Sequence, residues 1–152
     1  MELALATPLL LLIFLGLVEA ATAYDRQHTL TGLSREAANI ASRGTDLQEV
    51  VGVVMSNGSD IALGARGGTV VTRITLDHGV AEIVGQTGTA GYVERSRMGA
   101  LGETAAGFDA LGLVDGHSVH VVEIFYDYDP FTPLSSFVSA AVPDGLYSRA
   151  VF

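Results

Sequence analysis

The side chains with the greatest chemical leverage in this chain are two carboxylates in apolar surroundings. Glu2 and Glu19 bracket the run LALATPLLLLIFLGLV from Leu3 to Val18, which holds no charged residue. An ionised carboxylate at membrane depth costs several kcal/mol unless it is paired or reaches the interface. Local chemistry leaves each acid a mild solution: Glu2 in the headgroup region beside a favourable helix N-terminus, and Glu19 at the opposite interface.

The strongest catalytic signatures are missing. The sequence has no GxSxG turn, no HExxH helix and no P-loop, and its lack of cysteine removes thiolate metal sites and disulfides. Gly85-Gln86-Thr87-Gly88-Thr89-Ala90-Gly91 is glycine-rich like a phosphate loop, but no Lys-Ser/Thr follows it, so it reads as a flexible loop. His28, His78, His117 and His120 are too scattered to define a metal site, although His117 and His120 flank one strand start. Asp115, Asp127 and Asp129 offer oxygen ligands for calcium in principle, and read instead as a solvated acidic strand end. The expectation is no enzyme, with no catalytic residues, no cofactor, no metal and no small-molecule substrate.

The element that must position the two acids is a helix. From Leu3 to Ala23 it would span roughly 30 Å, about the thickness of a bilayer hydrocarbon core. A cleaved secretory signal is the rival, since Ala21-Thr22-Ala23 fits the small-x-small cleavage pattern. A secretory signal should begin with Lys or Arg, whereas the charged residue before the run is Glu2, which favours an anchor. The helical pattern also continues past the cleavage point. Leu30, Leu33, Ala37, Ile40 and Ala41 recur at three- and four-residue steps, and Gly44 supplies a stop. One helix to about Arg43 follows, weakened at Gly32 by roughly 1 kcal/mol relative to Ala. Pro8 either kinks it or is accommodated as an early-helix residue.

Beyond the anchor, about 130 residues suffice for one small domain. Eight Arg and no Lys against 17 Asp and Glu give a net charge of -9, which repels phosphates and excludes a nucleic acid partner. Asp46-Leu47-Gln48-Glu49 has capping-box form and opens a short helix with Leu47, Val50, Val51 and Val54 on one side and Asn57-Gly58 at its end. Thr69–Leu76 and Val80–Val84, joined by Asp77-His78-Gly79, read as a β-hairpin. Gly85 to Gly116 reads as a long irregular segment with a short helix around Ala100 to Leu111. Ser118–Tyr128 and Leu146–Phe152 read as strands, the first ended by Pro130 and Pro133. The expected fold is α+β: a transmembrane segment over 1–23, then an extracytoplasmic domain over 24–152. In it, a small antiparallel sheet of about four strands packs on the outer half of the long helix.

Three blocks carry a family resemblance. Glu2-Leu3-Ala4-Leu5, Pro8 with its leucines, and Gly16-Leu17-Val18-Glu19 resemble the N-terminal pattern of the TadE-like family. TLTGLSREAANIASR from Thr29 to Arg43 is similar to that family's post-membrane helix, and VHVVEIFYDYDPFTPL from Val119 to Leu134 to its late strand. The resemblance implies a minor pilin or pseudopilin of the tight-adherence pilus machinery. Such a protein crosses the bacterial inner membrane once, keeps its C-terminal domain in the periplasm, and has no catalytic role. Its implied partners are other pilin-like proteins, the inner-membrane assembly machinery and membrane lipid. By the same resemblance Glu2 takes part in processing and pairs with a neighbouring subunit's N-terminal amine. Glu2, Pro8, Gly16 and Glu19 are then the candidate assembly and helix-interface residues, with Ala4, Ala6 and Gly16 allowing close helix approach. The prepilin leader expected before such an acid does not precede Glu2, so the expectation is either an upstream start or an unprocessed chain. The competing expectation is a secreted or membrane-anchored binding module that uses its Gly-rich 85–116 segment.

Overall fold

The computed structural model describes residues 2–108, 114–130 and 145–152, with side chains from residue 6 onward. The helix α1 runs unbroken from Glu2 to Ser42, through both Pro8 and Gly32, and is long and apolar enough to cross a membrane. Its two halves have different surroundings. Leu9 to Phe14 and Leu17 are all exposed, whereas Leu30, Ser34, Ala37, Ala38 and Ala41 are buried. The small side chains among the latter let the helix lie close against the sheet, with Leu33 and Ile40 packed at the edge of the contact.

After Gly44 the chain reverses into α2, Leu47–Asn57. The Asp46 carboxylate accepts from the Gln48 backbone N–H at 2.8 Å, satisfying one of the orphan donors of the first turn. Val50, Val51 and Val54 are the buried stripe of α2. A 3₁₀ turn, Ser59–Ile61, and a single helical turn, α3 (Leu63–Arg66), lead into the sheet.

Four antiparallel strands, β1 (Gly67–Asp77), β2 (Val80–Gly88), β3 (Ser118–Tyr126) and β4 (Leu146–Val151), lie in the order β2-β1-β3-β4. The β1–β2 hairpin closes through His78 (φ 50°) and Gly79 (φ 80°), the two positive-φ positions that a tight hairpin turn requires. Side chains alternate along β3, so Val122, Ile124 and Tyr126 face α1 and α2 while Val121 faces the other way.

The expected α+β architecture is present, with a long apolar N-terminal helix, a short second helix and a four-stranded antiparallel sheet. The Gly-rich region differs from its expectation. Gly85 to Gly88 belongs to β2, and Val93–Arg95 forms a 3₁₀ turn. Met98, Ala105 and Phe108 are buried against Ile74, Ile83 and Val121, making a third layer over the far face of the sheet. No helix forms over Ala100 to Phe108; those residues follow turns, and the rest of that expected helix lies outside the described residues. The physical reason is where the backbone finds partners. Gly102 N–H donates to Ile83 O at 2.9 Å, Ile83 N–H to Glu103 O at 3.0 Å, and Ala105 N–H to Ala81 O at 2.7 Å. These bonds cover the β2 edge with chain that would otherwise have paired with itself. The opposite edge is partly capped as well, since Gln27 of α1 donates to Tyr147 O at 2.9 Å.

Candidate functional site

The region with functional character is the junction where α1 leaves the domain. Six consecutive exposed apolar residues, Leu9 to Phe14, cover more than a full turn, so this part of the helix is apolar on every side. A helix of that kind needs an apolar environment all round it, which the described residues of the domain do not supply.

Glu19 stands at the boundary and is 1% exposed. The alternation of β3 continues past its end, placing Tyr128 on the same side as Ile124 and Tyr126 and hence toward α1. The Tyr128 hydroxyl donates to Glu19 Oε1 at 2.5 Å, a contact between residues 109 apart in sequence. Burial, followed by that bond, pushes the Tyr128 hydroxyl above its usual range, while Arg26 acts in the opposite direction. The tyrosine is thereby held as the protonated donor that the contact requires. Tyr126 makes a parallel attachment, donating to Ile61 O at 3.0 Å.

Beside this pair lies a cleft of about 280 Å³ lined by Thr22, Arg26, Asp60, Arg66, Tyr128 and Asp129, among others. Arg66 and Asp129 face each other across 3.7 Å.

The four residues singled out for assembly all lie on α1, but the fold does not gather them. Glu2 opens the helix and its side chain lies outside the described residues. Pro8 is exposed and Gly16 half-buried. Glu19 is about 25 Å from Glu2 along the helix axis. The dispersed acids and histidines stay dispersed: Asp115 caps the hairpin turn by accepting from Gly79 N–H at 3.1 Å, while Asp129 sits at the other end of β3. His120 has its pKa lowered by burial and then by Arg73. Among the described residues no group of three or more His, Cys, Asp or Glu is placed to hold a metal ion.

A second buried acid was not singled out by sequence. Glu123 is fully buried on the far face of β3. It accepts from Ser96 Oγ at 2.6 Å, from the Arg97 backbone N–H at 2.9 Å and from the Tyr147 hydroxyl at 2.7 Å. The Arg97 guanidinium covers the Tyr147 ring at 4.0 Å, and Arg95 lies over Tyr92 and Phe125. The available signal was an acid in the middle of an otherwise apolar strand, VVEIFY.

No curated protein and no solved structure matches the chain. The exposed apolar half of α1 and most of its docked half do have a counterpart: residues 1–39 match the family model of TadE-like protein.

Proposed function

We infer that the protein is a structural, non-catalytic component of a Tad pilus assembly system, a minor pilin or pseudopilin. The apolar half of α1 crosses the inner membrane and the domain over 24–152 lies in the periplasm. The observation that carries this reading is the continuity of α1, one helix whose first half is apolar all round and whose second half is docked on the sheet. Any lateral force on the membrane-embedded half is then transmitted to the domain through packed side chains. The TadE-like match over residues 1–39 supports the same reading.

In this role the apolar half packs against the helices of other pilin-like proteins. Pro8 and Gly16 shape that surface, and Glu2 pairs with a neighbour's N-terminal amine. The decisive variant is Glu2→Ala in the native host. Pilus number should fall while the domain keeps its protease resistance; normal piliation with the variant would sink the assignment. The binding-module reading is the weaker one, because Met98, Ala105 and Phe108 of the 85–116 segment are buried against the sheet.

A further inference from the structure

The cleft beside Glu19 occupies a distinctive height. Leu17 ends the exposed apolar run, and Thr22 and Arg26 lie about 7 and 13 Å beyond it along α1. A spanning segment that ends near Ala23 puts Thr22 at the hydrocarbon boundary. Thr22 and Arg26 are themselves about 6 Å apart along the axis, which matches the roughly 5–8 Å of headgroup layer on each side of a bilayer.

The chemistry of the lining is mixed in sign. Arg26 and Arg66 bring two guanidinium groups, and Asp60 and Asp129 bring two carboxylates. Arg66 and Asp129 stand 3.7 Å apart, too long for the paired short bonds of a closed arginine–carboxylate fork. The Tyr126 and Tyr128 hydroxyls are already committed to Ile61 O and Glu19. A ligand that carries both a phosphate, for the guanidinium groups, and an N–H donor cation, for the carboxylates, complements this lining.

We propose that the cleft binds the phosphoethanolamine headgroup of one bilayer lipid, with its phosphate on Arg26 and Arg66 and its ammonium on Asp60 and Asp129. A glycerol headgroup lacks the cation and leaves two carboxylates facing a phosphate. A choline headgroup lacks N–H donors and presents methyl groups instead. The site rests on the reading that α1 spans a membrane. A bound lipid fixes the height of the domain over the bilayer, which for an assembling subunit sets the level at which its neighbours meet it.

The test uses the full-length chain in vesicles with equal amounts of ethanolamine, choline and glycerol phospholipids, followed by gentle extraction and native mass spectrometry of retained lipid. The wild type should retain ethanolamine lipid preferentially. Arg66→Gln should lower that retention roughly tenfold, the loss of one charge-assisted contact. Asp129→Asn, at an exposed position where folding is not at stake, should level ethanolamine with choline lipid. Equal retention of all three lipids by wild type, or an unchanged preference in both variants, overturns the site. So does tighter binding of free phosphoethanolamine than of the ethanolamine lipid, which would assign the cleft to a soluble ligand. A chain stripped from the vesicles by alkaline carbonate overturns the anchoring reading and the site with it; a chain that stays in the bilayer without lipid preference overturns the site alone.

Discussion

Glu19 and Glu123 are both buried carboxylates that accept a tyrosine hydroxyl, and they have different tasks. Glu123 lies inside the domain, where it gathers a serine hydroxyl, a backbone amide and Tyr147 and so ties the 96–97 segment to β3 and β4. Glu19 lies at the domain's margin, where Tyr128 binds it from the stretch that follows β3. The first contact joins two layers of one folding unit. The second joins the domain to a helix that continues away from it. A buried acid with several donors is a fastening, and its position decides whether it holds the fold together or holds the fold to the apolar half of α1.

The comparison breaks most visibly at Glu123. Glu123→Ala leaves the Ser96 and Tyr147 hydroxyls and the Arg97 amide without their acceptor, and should cost the domain about 3 kcal/mol or more. Thermal unfolding of the detergent-solubilised protein reads it; a melting temperature within error of wild type would show that the network contributes nothing to stability. Tyr128→Phe should cost less, about 1–2 kcal/mol, and should act locally. Hydrogen exchange should speed up over α1 near residues 18–26 while the sheet stays protected, and equal acceleration in the sheet would erase the distinction between the two acids.

The smallest expected effect is confined to alkaline solution. Burial, then the bond to Glu123, raises the Tyr147 pKa, while Arg149 and Arg97 oppose the shift. A group whose folded-state pKa is raised contributes stability that is fully present below its unfolded value and lost as pH rises through the folded one. Stability should therefore decline above about pH 10. Tyr147→Phe should flatten that decline after its loss at neutral pH is taken into account. An alkaline limb of unchanged slope would remove Tyr147 as its cause.

Much of the framework was legible in the chain. The β1–β2 hairpin followed from β-branched runs around Asp77-His78-Gly79, and the start of α2 from Asp46. The periodic Leu30, Ala37 and Ala41 marked the docked face of α1. Each is a local signal, in which a side chain or backbone angle acts within a few residues of itself. The layer over the far face left no such signal, because its glycine-rich backbone is satisfied by β2 and its few apolar residues, Met98, Ala105 and Phe108, have no period. The α3 turn was missed for a related reason, since four residues are too few to show a helical face.

The sequence by itself determined that a long apolar helix precedes an α+β domain, because apolar length and alternation are properties of neighbouring residues. It also marked Glu19 as an acid in a costly place. Only the tertiary structure decided that Glu19 meets Tyr128, that Glu123 is fully buried, and that Arg26 and Arg66 share a cleft. Those pairings join residues far apart in the chain, and the register of the sheet against α1, which local preference does not specify, brings them together.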